Sequence, residues 1–497
     1  MSGADNRSNA AGRSNAAGSA PFSAFHVPLR PPGPLGDALS AAYRRPEPEL
    51  LPGLVEQATL EPALAAEIAA TARKLIVALR AQPQRHGVGE LIQEYKLSSR
   101  EGVVLMCLAE ALLRIPDNGT RDALIRDKIA GGDWRAHLAP GRSLFVNAAT
   151  WGLLITGSVA RAASEESLSA ALTRVLVRGG EPVVRAAVNF AMKLLGERFV
   201  TGRTIEEALE NARPLEAQGF LYSYDMLGES AVTAADAERY YADYEHAFHA
   251  VGAVAAKRGI HEGPGVSIKL SALHPRYARA QSGRVMAEML PRLLSLARLA
   301  RRYEIGLNID AEEADRLELS LPLLEALCAD PELEGWRGIG FVIQAYGKRC
   351  PYAIDYVIDL ARRTRHRLMV RLVKGAYWDA EIKRAQLDGL EGFPVYTRKT
   401  YTDVAYVACA RKLLGAPDAV FPQFATHNAQ TLATIYHLAG PAFHTGQFEF
   451  QCIHGMGEPL YSEVVRPLKR PCRIYAPVGS HETLLAYLAR RILENGA

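Results

Sequence analysis

"RLMVRLVKGAYWDAEI", residues 367–382, begins as a buried strand and then breaks its own pattern. Leu368, Met369, Val370, Leu372 and Val373 form the near-continuous apolar run of a parallel strand covered on both faces. Arg371 stands inside that run and Lys374 ends it. A guanidinium stays protonated at any physiological pH, so burying it demands a partner. Arg371 and Lys374 are an odd number of residues apart and would face opposite ways on a regular strand. Lys374 is therefore expected just past the strand, in a loop with Gly375.

Seven more runs of this texture alternate with helical patterns after residue 200. They are "GFLYSYD" (219–225), "GVSIKLS" (265–271), "IGLNIDA" (305–311), "IGFVIQA" (339–345), "VFPQFAT" (420–426), "FEFQCIH" (448–454) and "CRIYAP" (472–477). Strand–helix alternation at this spacing predicts parallel strands with helical crossovers. Eight such units over about 280 residues fit an α/β fold of the (β/α)8 TIM-barrel type better than an open sheet. "GSHETLLAYLARRILENG" supplies the last helix, with Ser480 as its N-cap and Gly496 as its stop.

In such a barrel the site lies at the C-terminal mouth, and the polar residues fall there strand by strand. Asp225, Lys269, Asp310 and Gln344 end or nearly end the first four runs. Arg371 with Lys374, Thr426 with His427, His454, and Tyr475 do so for the other four. Polar groups at eight successive strand ends predict a functional mouth.

The rest of the chain reads differently. Residues 1–24 are rich in Ser, Asn, Gly and Ala and repeat RSNAAG at 7–12 and 13–18, which predicts a disordered tail. A proline-rich stretch from Pro28 to Pro52 belongs to an arm (25–80), expected to pack on a partner domain. Within it, "EPALAAEIAATARKLIVALRA" places Leu64, Ile68, Leu75, Ile76 and Leu79 near one helical stripe. Residues 81–200 form an all-helical domain with no constellation of chemical residues, and 201–497 the barrel.

Composition narrows the function classes. The 58 basic residues are interleaved with 54 acidic ones, giving net charge +4, too mild a surplus to imply nucleic-acid binding. Six scattered cysteines without a C-x-x-C pair predict a reduced intracellular chain. No apolar run reaches the ~18 residues that span a bilayer. There is no G-x-G-x-x-G, no P-loop and no G-x-S-x-G. "HETLL" (481–485) lacks the second histidine of a zincin helix, and His246 with His249 has no supporting carboxylates. What remains is a mouth with Lys269, Arg371, Lys374, Arg490 and Arg491 against Asp225 and Asp310. That excess of cations suits an anionic ligand: a carboxylate, a phosphate, or a flavin that becomes anionic on reduction. Arg490 and Arg491 also sit where cations complement a helix dipole.

"FLYSYDMLGESA", "VSIKLSALHPRY", "NIDAEEADRLELSL", "QAYGKRCPYAIDY", "RLVKGAYWDAEIKRAQ", "FATHNAQT", "FQCIHGMGEPLY" and "CRIYAPVGSHETLLAYLARRILENGA" resemble the proline dehydrogenase part of the proline utilization A (PutA) family. "LMCLAEALLRIPDNGTRDALIRDKI" resembles the helical domain that precedes it there. The resemblance runs from about residue 85 to the end. It implies a distorted barrel and FAD as cofactor. It also implies oxidation of L-proline to Δ1-pyrroline-5-carboxylate by hydride transfer from Cδ to flavin N5. Electrons would pass on to a membrane quinone, which places the chain in the cytoplasm with peripheral contact at the inner face of the bacterial membrane.

Matched position by position, the resemblance makes Lys269 and the pair Arg490–Arg491 ligands of the proline carboxylate, with Tyr487 in the same wall. Asp310 becomes the active-site aspartate and Asp225 its partner. Ile453 and Tyr475 cover the pyrroline ring, and Tyr377 supports it. Arg371 lies beside flavin N5, where a fixed cation stabilises incoming electron density. Ala311, Gln344, Val373, Lys374, Gly375, Ala376, Trp378, Thr397, Lys399, Thr426, His427, Asn428 and Glu494 are the remaining cofactor contacts implied, and no metal is.

The chain stops just past "RRILENGA", where full-length members continue into an aldehyde dehydrogenase domain. A piece of a longer protein, releasing pyrroline-5-carboxylate and making no glutamate, is the expectation. Residues 1–50 show no ribbon–helix–helix pattern, so no DNA binding is expected. Two other classes share a charged mouth: a lyase using Lys269 or Lys374 as a Schiff base, and a binding module without turnover.

Overall fold

The eight runs become eight parallel strands: β1 (Phe220–Met226), β2 (Gly265–Ile268), β3 (Gly306–Ile309), β4 (Ile339–Gln344), β5 (Leu368–Val373), β6 (Val420–Ala425), β7 (Glu449–Ile453) and β8 (Cys472–Val478). They pair in sequence order, and β8 closes on β1 from Phe220↔Cys472 to Met226↔Val478. This computed structural model describes residues 33–81, 120 and 199–479. The last predicted helix and most of 81–200 lie outside the described residues.

Helices run beside the strands. The N-terminal region supplies α1 (Pro34–Ala41), α2 (Glu47–Ala58) and α3 (Pro62–Ala81). Around the barrel come α4 (Ile205–Glu216), α5 (Ala234–Val254), α6 (Leu290–Arg302), α7 (Leu317–Ala329), α8 (Cys350–Thr364), α9 (Trp378–Leu387), α10 (Lys399–Leu414), α11 (Ala429–Leu438) and α12 (Glu458–Val465). Their starts follow local chemistry. Thr233 and Asp236 form a reciprocal capping box at α5, and Asn428 accepts from Thr431 N at 2.9 Å to open α11.

Strand alternation separates core from site. On β5, Leu368, Val370 and Leu372 join the apolar layer shared with the helices, and Met369 and Arg371 do not. Met369 lies across the interior, where glycines on β3 and β4 make room. A Cβ on Gly306 would sit 2.8 Å from the Met369 methyl, and one on Gly340 would meet Asn308 Oδ1 at 2.1 Å. The expected second run was too long. β2 ends at Ile268, and Lys269 becomes the N-cap residue of a short helix, Leu270–Leu273.

The arm packs on the barrel's own helices. Leu54 of α2 is buried with Tyr396, Ala405 and Ala408, and Ile68 and Ala72 of α3 are buried with Ala433. Arg411 donates to the carbonyls of Gln57 and Thr59 at 2.9 and 2.8 Å, satisfying the C-terminal end of α2. Ile76, expected in the buried stripe, faces solvent instead. The periodicity was right, but the buried stripe narrows to Ile68, Ala72 and Leu75, the face turned to α11 and α12.

Candidate active site

Alternation turns the odd-parity residues of β5 inward, so Arg371 enters the barrel just below its rim. Its Nη1 donates to Asp310 Oδ1 at 2.8 Å, and its Nη2 to Ser267 Oγ at 3.0 Å and Ser223 Oγ at 3.5 Å. The Tyr475 ring lies 5.1 Å from its Cζ. Arg371 is buried, and its Nε has no hydrogen-bond partner among the described residues.

Lys269 anchors the other half of the network. Its Nζ donates to Asp225 at 2.9 and 2.8 Å and lies 3.4 Å from Asp310 Oδ2 and 3.3 Å from the Tyr475 hydroxyl. Tyr475 in turn donates to Asp310 Oδ2 at 2.6 Å. Burial alone would lower the Lys269 pKa, but the Asp225 carboxylate, with Tyr475 and Asp310 behind it, holds it well above the usual lysine value. Burial pushes the Asp225 carboxyl up, with Lys269 pulling against it. Lys269 is ion-paired with Asp225, with Asp310 and Tyr475 as its longer contacts.

The flanking residues fall around this pair of cations. Ile453 ends β7 in register with Tyr475 on β8, so the two expected ring covers stand side by side. Ala311 and Gln344 line a cavity with Asp310. Val373 ends β5, and Lys374 lies beyond it as expected. Gly375 has φ +135°, and a Cβ there would fall 2.5 Å from the Tyr346 ring, so both its backbone and its neighbour require glycine. Ala376 N donates to Gln344 Oε1 at 3.4 Å, joining the loops after β4 and β5. Tyr377 precedes α9.

After β6, Thr426 is buried, and His427 Nε2 accepts from Ile453 N at 3.1 Å. That bond assigns a neutral imidazole with its proton on Nδ1. Asn428 uses its side-chain oxygen as the α11 cap. Trp378, Thr397 and Lys399 sit on the exposed rim. Trp378 Nε1 donates to Tyr396 O at 2.8 Å, and Thr397 donates to Glu47 of the arm through both N and Oγ1, at 2.6 and 2.9 Å. His454 lies 3.6 Å from Glu458. Tyr487, Arg490, Arg491 and Glu494 lie outside the described residues.

The expected surplus of cations is corrected within the described residues. Lys374 is paired with Asp403, which also takes Lys399 at 3.2 Å, so each mouth cation has a carboxylate. Asp403 was missed, although its i,i+4 spacing from Lys399 on α10 was visible. Ser223, Ser267 and Tyr244 were missed too. Tyr244, buried on α5, accepts from Lys269 N at 3.0 Å and fixes the strand end that carries the lysine. No spacing rule joins residues so far apart in sequence.

An eight-stranded parallel barrel with a buried ion cluster at its C-terminal mouth has the frame of a barrel enzyme. A family model described as Proline dehydrogenase matches residues 208–497, more than half of the chain, and the chain belongs to that family. A model described as Proline utilization A proline dehydrogenase N-terminal domain matches residues 34–80, and one described as DNA-binding domain of Proline dehydrogenase matches 87–199.

The Bifunctional protein PutA of Escherichia coli (strain K12) is 62% identical over 506 residues, covering 100% of this chain and 38% of that protein. Proline dehydrogenase 1 of Bacillus subtilis (strain 168) is 26% identical over 318 residues, covering 63% of this chain and 91% of that protein. A crystal structure of Bradyrhizobium japonicum proline utilization A superposes with a TM-score of 0.69 at 47% identity, covering 92% of this chain and 46% of that one. The chain spans about two fifths of the length of the curated PutA proteins it matches.

Proposed function

We propose that this chain catalyses the FAD-dependent oxidation of L-proline to Δ1-pyrroline-5-carboxylate, with hydride passing from Cδ to flavin N5 and electrons going on to a membrane quinone. The observation that carries the reading is Arg371: buried, fixed on two sides, and holding an unpartnered Nε among the described residues. A buried donor without an acceptor fits a site that a polar cofactor completes. The small residues Gly375 and Ala376 leave the backbone of the neighbouring loop accessible for the same group.

When bound, the flavin supplies the hydride acceptor. Arg371, Gln344, the Val373–Ala376 loop and Thr426–Asn428 would hold it, with Ala311 beside them and Trp378, Thr397, Lys399 and Glu494 at the periphery. Arg371 places a fixed positive charge where electron density arrives, without reorganising during the reaction. Lys269 presents an ammonium for the substrate carboxylate, aided by Arg490, Arg491 and Tyr487. Ile453 and Tyr475 exclude water over the ring, with Tyr377 behind them. Both Asp310 oxygens are taken by Arg371, Tyr475 and Lys269, so this carboxylate holds donors rather than taking the amine proton.

No helix among the described residues is long and apolar enough to cross a membrane, so the reading delivers electrons to the quinone by peripheral contact. It includes no nucleic-acid partner, because charge is mild and interleaved. The description of the model matching 87–199 points the other way, and salt-dependent binding to duplex DNA is the test that decides.

The deciding experiment for the reaction is the visible spectrum before and after anaerobic L-proline. A flavin spectrum that bleaches supports cofactor, substrate and reaction together. A flavin that does not bleach discards proline. A colourless protein that borohydride traps with a carbonyl substrate overturns the whole reading in favour of the lyase.

A further inference from the structure

We propose that Ser267, backed by Ser223, is a positioning residue that sets the plane of the flavin-facing Arg371; this rests on the function proposed above. Both serines are fully buried inside the barrel, one alternation below Lys269 and Asp225 on β2 and β1. Hydroxyls buried there gain nothing from apolar packing, so their value lies in what they bond. Arginine offers only donors, so both hydroxyls accept from Nη2, at 3.0 and 3.5 Å, and they contact each other at 3.0 Å.

The geometry shows what this does. A planar guanidinium held by Asp310 alone, through Nη1, can swing about that contact. Ser267 adds a second anchor on Nη2, and the Tyr475 ring at 5.1 Å covers a face. Together they fix the plane and leave Nε without a partner among the described residues. Ser267 therefore acts on the flavin through Arg371, without touching it. The motif "VSIKLSALHPRY" puts this serine two residues before Lys269, so one strand end positions both cations of the network.

The test uses the flavin-loaded protein and four variants: S267A, S223A, S267C and, as a control, Leu307→Val. Leu307 belongs to the apolar layer outside the barrel wall. Two quantities are read: the flavin midpoint potential without substrate, and the rate of anaerobic bleaching by proline. S267A should slow bleaching about tenfold, in line with the sensitivity of such reactions to misplacement. It should also lower the potential, the sign expected when a fixed positive charge beside the ring loosens. S223A should shift both in the same direction by less, given its longer contact. S267C, near-isosteric but a poor acceptor, should follow S267A, and it carries the test if S267A does not fold.

Leu307→Val should lower thermal stability and leave the potential unmoved, which separates positioning from loss of packing. Wild-type potential and bleaching in folded S267A or S267C would overturn the inference while leaving the proposed function intact. A wild-type flavin that proline does not bleach would overturn the substrate reading, and the potentials would still judge the serines. A chain that takes up no flavin would overturn both.

Discussion

Two charged clusters are buried in the same barrel, and they are built differently. Near the floor, Glu449 and Arg473 pair at 2.7 and 3.0 Å. The other Arg473 donors go to the carbonyls of Tyr222, Gly263, Ile260 and His261, and the carboxylate also takes Gln423 and Gln451 at 2.8 Å each. Every donor of that arginine is used. At the mouth, Arg371 keeps an Nε unpartnered among the described residues, and Lys269, Asp225, Asp310 and Tyr475 share bonds from 2.6 to 3.4 Å that a ligand could exchange. A buried ion pair by itself does not announce a site. What separates structure from chemistry here is closure around the arginine: the floor arginine uses every donor, and among the described residues the mouth arginine leaves Nε and one Nη1 hydrogen unbonded.

The largest effect should come from breaking the closed cluster. R473A leaves Glu449 as an uncompensated buried charge and orphans four carbonyls. It should cost at least ~3–5 kcal/mol in chemical denaturation or abolish folding. An R473A protein as stable as the wild type would end the comparison. R371M at the mouth should behave in the opposite way. Asp310 keeps Lys269 and Tyr475, so stability should fall by only about 1–2 kcal/mol. Flavin bleaching by proline in single-turnover mode should slow roughly 10²–10³-fold, the scale of losing one preorganised charge or donor. Similar stability losses in the two variants, with bleaching intact in R371M, would erase the distinction.

An exposed contact calibrates both. Glu47→Ala removes two hydrogen bonds from Thr397 to the arm. Solvent competes there, so the loss should be about 1 kcal/mol or less. Faster limited proteolysis between α1 and α3 would report it. A loss as large as that of R473A would show that the arm is part of the barrel's cooperative core.

The comparison also explains what the sequence could tell. Strands were legible because burial on both faces writes a continuous apolar run, and Arg371 was legible because charge interrupts one. The five residues of the mouth network were each legible as strand ends, but not that these five bond to one another. What opposes each cation was not legible. Asp403 reaches Lys374 from the next helix, Ser267 is an ordinary residue on a strand, and Glu449 opens a run that looks like any other. These contacts join residues distant in the chain, and their meaning lies in counts of satisfied donors rather than in residue type. The arm was legible as an arm but its helices were less so, because the prolines that punctuate it mark the helix starts of α1 and α2.

Glu381 offers the smallest and sharpest probe, because it is a buried carboxylate without an ion pair among the described residues. Its Oε1 accepts from Ala314 N at 2.6 Å, tying α9 to the loop that follows Asp310. Burial raises its pKa, with Asp315 and Glu313 adding to the effect and the Ala314 bond and Arg384 opposing it. The folded state therefore holds this proton more tightly than the unfolded chain. Below the ordinary glutamate value both states are protonated and no penalty exists; as pH rises through the raised folded value, ionising the buried group costs stability. E381Q keeps the acceptor and removes the charge. It should match the wild type near pH 4 and exceed it at pH 8 by on the order of 1 kcal/mol, measured by denaturant titration at both pH values. A variant less stable than wild type at pH 8 would mean that the charge itself holds the loop. Closure at the mouth would then extend to a carboxylate held by a backbone N–H rather than by an ion pair.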